Sequence, residues 1–222
     1  MIEIISATRL SEPEFWNKSA LGLSLRRLED DTRLVSHITY ENRRGLPEVY
    51  NARIHALDDH DLLVFIHDDV WIDDYFLADR IIDGLNKYDV IGVAGNRRRE
   101  PGQPVWAFAD DKFIWDMSSL SGRVAHGDFP FGSVSIFGDA PAECELLDGV
   151  LIAAKKSRLR DTGVRFDPRF DFHFYDMDFC RSAKEKDLVL GTWPICITHQ
   201  SGGAVGPLWS EKRRLYLEKW KT

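Results

Sequence analysis

One stretch of the sequence does most to limit the fold. Residues 62 to 66 form an uninterrupted apolar run, Leu-Leu-Val-Phe-Ile, and His67, Asp68 and Asp69 follow at once. An apolar run of this length is typical of a strand buried on both faces. A strand that ends in polar groups before a helical pattern indicates an open α/β sheet, in which ligands bind beyond the carboxyl ends of the strands.

The polar residues after this strand suggest a metal site. Side chains alternate along a strand, so His67 and Asp69 are predicted to face one side of the sheet and Asp68 the other. One imidazole and one carboxylate facing a shared crevice could bind a divalent ion. The alternative is a solvated acidic turn that caps the next helix.

The first part of the chain alternates between strand and helix patterns. Apolar runs predict four strands, at residues 2–6, 34–40, 62–66 and 89–94. The intervening helices give a β-α-β-α-β-α-β order, which predicts a parallel sheet with right-handed crossovers. The helix after the third strand is predicted to carry Asp73 and Asp74 in its first turn and Phe76 on its buried face.

The second part is less regular. Residues 97–145 are rich in Gly, Pro and aromatic residues and predict an irregular, partly β segment. Four further features are expected after it: the turn Asp148-Gly149 before an apolar run, a helix that begins near Asp176, a strand over 189–197 that leads to His199, and an amphipathic helix over 211–220. The glycine-rich loop 201–206 and this last helix would either close over a bound diphosphate or form a surface helix.

Composition and charge exclude several classes of protein. The 222 residues carry 29 basic and 36 acidic side chains, a net charge of −7, which argues against a nucleic-acid binder. The three cysteines form no CxxC pair, which indicates a reducing compartment. No apolar run approaches the ~20 residues of a membrane span. A cytoplasmic location is expected, and peripheral attachment to a membrane is left open.

The polar motifs come in an order that resembles a known family. The strand ending in His67-Asp68-Asp69, the Asp148 turn, the Tyr175-Asp176-Met177-Asp178 helix start and the strand leading to His199 resemble the family 2 glycosyltransferases of the GT-A fold, over roughly residues 1 to 200. The resemblance implies a nucleotide-diphospho-sugar transferase fold, a Rossmann-like α/β domain whose mostly parallel central sheet has helices on both faces. It also implies a nucleotide-sugar donor and a glycan, lipid-linked or small-molecule acceptor.

The resemblance also implies a metal site. In that family a DxD motif and a later histidine bind a divalent cation. Here Asp69 occupies the last DxD position, His67 stands where the first aspartate would be, and His199 matches the histidine. One carboxylate and borderline nitrogen ligands favour Mn²⁺, with Mg²⁺ possible. The alternative for His199 is a capping or loop histidine.

The catalytic base follows from the same resemblance. Tyr175 replaces the glutamate of the family's Glu-Asp motif, which leaves Asp176 as the candidate base. A helix N-terminus is expected to lower the pKa of Asp176 and so weaken its basicity. An ordinary helix-start carboxylate is the alternative.

The substrate contacts are implied at the equivalent positions. The donor would contact residues at the ends of the first three strands: Ala7, Thr8, Arg9, Glu41, Asn42 and Asp68. Asp148 and Gly149 would lie on the acceptor side. A simple turn is the alternative for Glu41-Asn42, and for Asp148 the alternative is a residue with no acceptor contact.

The sequence thus predicts a single GT-A domain over 1–222, with a nucleotide-binding half (1–96), an acceptor and metal half (97–206) and a C-terminal helix (207–222). The predicted activity is metal-dependent transfer of a sugar to a hydroxyl acceptor with inversion. The Gln-x-x-Arg-Trp signature of processive members is absent, which implies one sugar per encounter. A nucleotidyltransferase is disfavoured because a glycine- and arginine-rich loop after the first strand is missing. A non-catalytic nucleotide- or sugar-binding module on the same fold remains the main alternative, because both motifs are altered.

Overall fold

Two β-sheets form the centre of the molecule. The computed structural model describes residues 1–110, 112–202 and 206–221. In spatial order the strands of the larger sheet are β2 (Leu34–Thr39), β1 (Ile2–Ala7), β3 (Leu62–Ile66), β11 (Leu151–Lys155), β5 (Val90–Gly92), β12 (Leu190–Thr192) and β9 (Ala142–Cys144). Those of the smaller sheet are β10 (Leu146–Leu147), β6 (Ala94–Asn96), β7 (Leu120–His126), β13 (Ile197–His199) and β4 (Val70–Ile72), with β8 (Ser133–Gly138) paired to β7.

Seven helices are found within the described residues. They are α1 (Glu12–Lys18), α2 (Ala20–Arg27), α3 (Leu46–His55), α4 (Leu77–Lys87), α5 (Lys156–Thr162), α6 (Tyr175–Lys184) and α7 (Pro207–Trp220). The core between helices and sheets is strongly aromatic, with fully buried rings from Phe15, Tyr50, Phe65, Phe166, Phe170 and Phe179. Among the described helices none is long and apolar enough to cross a bilayer.

The larger sheet is mostly parallel, as predicted, but one central strand runs the other way. β1 pairs in parallel with β2 and β3, and β12 pairs in parallel with β5. β11 lies between β3 and β5 and is antiparallel to both. After β5 the chain builds most of the smaller sheet and adds β9 to the far edge of the larger one. β11 then enters the centre of the larger sheet from its carboxyl edge and so runs in the reverse direction.

Two predicted strands are each divided between the sheets. Within the run 89–94, residues 90–92 form β5 of the larger sheet. From Ala94 the chain continues as β6, which belongs to the smaller sheet. The run 189–197 becomes β12 and β13, separated near Pro194, which has no backbone N–H for a sheet ladder. Strands from both sides of residue 96 enter both sheets, so the sheet topology marks no boundary there, and the predicted division into halves stays a prediction.

The predicted start of α4 is wrong. Val70, Trp71 and Ile72 pair with β13 as a short strand instead of leading directly into a helix. The helix begins at Leu77, and Asp74 lies before it, where its Oδ1 accepts a hydrogen bond of 2.9 Å from the backbone N–H of Phe76. Phe76 is 65% exposed, so it is not part of the buried face either.

The C-terminal helix is fixed to α6. It begins at Pro207, where the predicted C-terminal helix 207–222 begins, and so includes one turn before the amphipathic pattern at 211–220. Near its end, Lys219 Nζ lies 2.7 Å from Asp178 Oδ1, and Trp220 Nε1 donates a hydrogen bond of 2.9 Å to the same carboxylate. Asp178 is completely buried. The two partners compensate a carboxylate whose burial would otherwise be unfavourable.

Candidate functional site

The three predicted metal ligands lie together at the edge where the two sheets meet. His67 and Asp69 belong to the link between β3 and β4. β13 runs antiparallel to β4, with His199 opposite Val70, which brings His199 beside Asp69. One ligand atom from each of the three side chains lies within 4.8 Å of the others. His199 Nε2 is 3.3 Å from Asp69 Oδ1.

The charges of this cluster suit a cation. Burial acts to raise the pKa of Asp69, but hydrogen bonds from His199 and Ser201 outweigh it and hold that pKa below its usual range. Burial lowers the pKa of His67, which therefore favours the neutral, ligating form of the ring. Within the described residues Asp69 forms no ion pair with Lys or Arg. Its charged partner there is the His199 ring, whose pKa the Asp69 carboxylate raises against the effect of burial, so a bound metal ion would replace the proton that this pair favours.

A second cluster of similar composition is less suited to a metal. Ligand atoms of Glu3, Asp58 and His60 also come within 4.8 Å of one another, at the amino ends of β1 and β3. Arg53 Nε lies 2.6 Å from Glu3 Oε1, and the buried Lys156 is in contact with Asp58. The two carboxylates are thus already neutralised by two cations. The cluster around Asp69 is the better candidate.

Tyr175 connects His67, one of the three candidate metal ligands, to the Asp148-Gly149 turn. Its hydroxyl donates a hydrogen bond of 2.8 Å to the Gly149 carbonyl and lies 2.7 Å from His67 Nε2. Gly149 permits this approach, because a Cβ at that position would lie 2.3 Å from the Tyr175 hydroxyl oxygen.

This close contact leads to a prediction for Gly149→Ala. The added methyl group must displace the buried Tyr175 ring, so we expect a loss of ~1–3 kcal/mol in the free energy of unfolding, as for other overpacked sites. Urea denaturation measures it. Gly202→Ala is the control, because its Cβ would meet no atom of the described residues within 4 Å. Equal free energies of unfolding in both variants would show that the Tyr175 ring moves aside without loss of stability.

Asp176 stands at the start of α6 on the other side of Gly149. Its Oδ2 accepts a hydrogen bond of 3.0 Å from Gly149 N–H, and its Oδ1 accepts one of 2.8 Å from Met177 N–H. Burial and the nearby Asp148 carboxylate raise the pKa of Asp176 to about 7. The expectation of a lowered pKa is therefore wrong, because burial outweighs the helix N-terminus and the two backbone hydrogen bonds.

An open cleft of about 760 Å³ extends from Asp69 along the carboxyl ends of β1 and β2. Five of the six predicted donor contacts line it: Ala7, Thr8, Arg9, Asn42 and Asp68. Glu41 does not line it; its side chain is exposed, and its backbone has a φ of 48° in the turn after β2. The geometry therefore gives Glu41 no support as a donor contact.

The sequence interpretation missed several residues of this cleft. Lys18, Arg43, Arg44 and Phe172 also line it. Arg43 and Arg44 adjoin Asn42 in the sequence, so the basic pair could have been noted there. Phe172 is 52% exposed and stacks on His67, with ring centroids 6.1 Å apart and planes at 23°. Its contact with His67 crosses about a hundred residues, and no local pattern indicates it.

The structure describes only part of the segment predicted to close over a bound diphosphate, which is the loop 201–206 and the helix after it. Residues 203–205 of the loop 201–206 lie outside the described residues. Leu208, in the first turn of α7, lines the cleft, while the far end of this helix is fixed to Asp178. The closing movement of this segment stays a prediction.

Comparisons with known proteins identify the fold. No protein-family model and no curated protein sequence matches the chain. Among solved structures, it is similar to GalNAc-T7 crystallised with UDP, GalNAc and Mn²⁺, at 11% identity and a TM-score of 0.54, covering 98% of this chain and 47% of that one. A mutant of Drosophila β1,4-galactosyltransferase 7 with manganese, UDP-Gal and xylobiose gives 8% identity and a TM-score of 0.52, covering 96% and 80%.

These two similarities confirm the predicted GT-A fold. The chain spans just under half of the GalNAc-T7 structure, and the identities are too low to carry over activity or substrates by themselves. The function must be argued from the site.

Proposed function

We propose that this protein transfers a sugar from a nucleotide-diphosphate donor to a hydroxyl acceptor, with a divalent metal ion and with inversion at the sugar carbon. One observation carries the proposal. At one edge of a GT-A fold, a cluster of three candidate metal ligands, with no Lys or Arg partner among the described residues, is linked through Tyr175 and Gly149 to a carboxylate whose pKa is raised to about 7.

The metal site fits the chemistry of its donor set. Asp69 would supply a carboxylate oxygen, and His67 and His199 would each supply an imidazole nitrogen. This mixture suits Mn²⁺ and also admits Mg²⁺. Both similar structures described above were crystallised with manganese and a uridine nucleotide. When bound, such an ion stabilises the negative charge that develops on a diphosphate leaving group.

Asp176 is the proposed general base. The acceptor hydroxyl must lose a proton as it attacks, and a base is most effective when its pKa lies near the working pH. Asp176 has such a pKa, and the hydrogen bond from Gly149 holds one of its oxygens in place. Inversion is inferred from the family resemblance and because Asp176 is the one base candidate at this edge among the described residues. Asp148, whose Oδ1 accepts from Val150 N–H, would lie on the acceptor side with Gly149.

The basic side of the cleft is the proposed site of the donor nucleotide. Arg9, Arg43 and Arg44 are exposed and form no ion pair within the described residues, although the protein as a whole is acidic. Their positive charge would attract the donor's phosphates. Asp68, half-buried beside Thr8, would also contact the donor.

Nucleotide binding with and without metal tests the proposal. We expect UDP, GDP or dTDP to bind more tightly in Mn²⁺ than in EDTA when measured by titration calorimetry. The donor sugar and the acceptor would then be sought by release of nucleoside diphosphate from a panel of nucleotide sugars. Equal affinity in Mn²⁺ and EDTA for every nucleotide would contradict a shared metal site.

A non-catalytic binding module on the same fold is the second candidate. It is favoured by the replacement of two motif residues, His67 for the first aspartate and Tyr175 for the glutamate. Such a module would bind a nucleotide or sugar but release no product. Donor hydrolysis by the purified protein with Mn²⁺ separates the two functions.

Arg9→Ala tests the position of the donor. A charge-assisted hydrogen bond to phosphate contributes roughly 1.5–3 kcal/mol, so we expect nucleotide affinity to fall by about tenfold or more, with a smaller dependence on salt. Calorimetry in Mn²⁺ at two salt concentrations measures both effects. Arg26→Ala, on the exposed face of α2 and outside this cleft, is the control. If both variants bind equally, the nucleotide lies elsewhere.

A further inference from the structure

The two departures from the family's motifs are in direct contact. His67 takes the place of the first aspartate of the metal motif, and Tyr175 takes the place of the glutamate beside the base. They are 108 residues apart in the sequence, yet His67 Nε2 and the Tyr175 hydroxyl oxygen lie 2.7 Å apart. What looks in the sequence like two separate losses is one structural pair.

The hydrogen bonds around Tyr175 fix the position of a proton on His67. The Gly149 carbonyl, 2.8 Å away, can only accept, so the tyrosine hydroxyl donates its single hydrogen there. The hydroxyl oxygen can then only accept from His67, and Nε2 must be the protonated nitrogen of the neutral ring. The lone pair is left on Nδ1.

From this arrangement we infer that Tyr175 is a positioning residue for the metal site. It holds His67 in the tautomer and ring orientation that present Nδ1 to the divalent ion bound with Asp69 and His199. Metal-binding histidines commonly donate their other N–H to an acceptor that orients the ring. Here the acceptor is the Tyr175 hydroxyl, which is itself oriented by its hydrogen bond to the Gly149 carbonyl. Phe172, whose ring is stacked on that of His67, would further limit its rotation.

The inference rests on the proposed function, because it requires the ion. It gives Tyr175 a role that needs no acid–base chemistry. It also links the proposed ligand His67 to Gly149, whose backbone N–H donates a hydrogen bond to Asp176. One glycine residue would thus set the geometry of both the metal site and the base.

Tyr175→Phe tests the inference by removing only the hydroxyl. We expect its affinity for Mn²⁺, measured from the EPR signal of the free ion, to fall by ~10- to 100-fold, the usual effect of losing such an outer partner. In ¹⁵N-histidine-labelled protein without metal, His67 should show the Nε2–H tautomer in the wild type and a mixture of tautomers in the variant. His67→Asn assigns its signals by difference.

Tyr50→Phe is a closely matched control. Tyr50 is equally buried, its ring centroid is 6.1 Å from that of Tyr175, and its hydroxyl has no hydrogen-bond partner within the described residues. We expect it to keep the wild-type affinity for Mn²⁺ within about twofold. Loss of affinity in both variants would indicate a general packing effect and overturn the inference.

The remaining outcomes separate this inference from the proposed function. If the wild type binds Mn²⁺ and Tyr175→Phe binds it equally well, Tyr175 does not position a ligand, while the proposed metal site stands. If the wild type binds no Mn²⁺ in the presence or absence of nucleotide, the metal-dependent function fails, and this inference fails with it.

Discussion

Replacing Asp176 by asparagine is expected to lower the rate of sugar transfer by ~10²- to 10⁴-fold, the range that general-base catalysis usually supplies. Asparagine keeps the size of the side chain but cannot take the acceptor's proton. Donor binding should survive, because the proposed phosphate and metal contacts lie on other residues. Single-turnover rates at saturating donor, together with calorimetry of the nucleotide, measure the two effects separately.

The pH dependence of the same variant provides a second test. With the pKa of Asp176 near 7, the transfer rate of the wild type should rise with pH through about 7 as the carboxylate ionises. This dependence should vanish in the residual activity of Asp176→Asn. A wild-type rate that is constant between pH 5.5 and 8.5 would exclude Asp176 as the base.

As pH rises, the contribution of Asp176 to the stability of the wild type should fall while the transfer rate rises. The pKa of Asp176 is higher in the folded than in the unfolded protein, so the native state binds the additional proton. The stabilisation is present below about pH 4 and is lost as pH rises through about 7. Above that pH the buried charge costs on the order of 2 to 4 kcal/mol, and Asp176→Asn should be more stable than the wild type. Thermal unfolding at pH 6 and pH 8.5 measures this.

Asp178→Asn is the comparison in the same helix turn. Asp178 faces Lys219 and Trp220, away from Gly149, so its variant should keep the transfer rate while it remains folded. It should also unfold at a lower temperature, since the half-buried Lys219 loses one of its two carboxylate partners and keeps only Asp167. If Asp178→Asn abolishes transfer while folded and Asp176→Asn does not, the base has been assigned to the wrong aspartate.

The second large effect is expected for Asp69→Ala. Asp69 is the only carboxylate among the three proposed metal ligands, so its loss should weaken Mn²⁺ binding by more than the ~100-fold that an outer-shell partner can cost. Nucleotide affinity in Mn²⁺ should fall to its value in EDTA. The free energy of unfolding should change by no more than about 1 kcal/mol, because the side chain lies beyond the end of β3.

The exposed Asp83 on α4 supplies the control for Asp69. Asp83→Ala removes the same charge from the protein without touching the cleft, so both affinities should stay at wild-type values. If Asp69→Ala unfolds while its remaining folded fraction still binds nucleotide in Mn²⁺ as the wild type does, the carboxylate is structural. The acidic-turn interpretation of this segment would then be correct.

The part of the site that the sequence could predict lies on single strands. The apolar run 62–66 is unmistakable, and residues directly after a buried strand must emerge at its carboxyl edge. That rule alone places His67, Asp68 and Asp69 after β3, and equally Thr8 and Arg9 after Ala7, the last residue of β1. His199 follows from the same reasoning, since it also ends a strand.

The remainder depends on contacts between distant segments. The reversed direction of β11 puts Asp148 and Gly149 at this edge before their strand begins, whereas the rule concerns residues that come after one. Burial decides the pKa of Asp176, and burial is a property of the assembled fold. The contact between His67 and Tyr175 spans 108 residues, so in the sequence each appears only as a substitution.

The uneven burial of the cysteines has a practical consequence. Cys144 and Cys180 are buried, while Cys196 is exposed. It precedes β13 directly, three residues before His199. A thiol-reactive fluorophore should therefore label the native protein at this position without mutagenesis, at a pH high enough to offset the raised pKa of the thiol. The dye would report on the strand that carries a metal ligand, so ion uptake could be followed optically in the unaltered sequence.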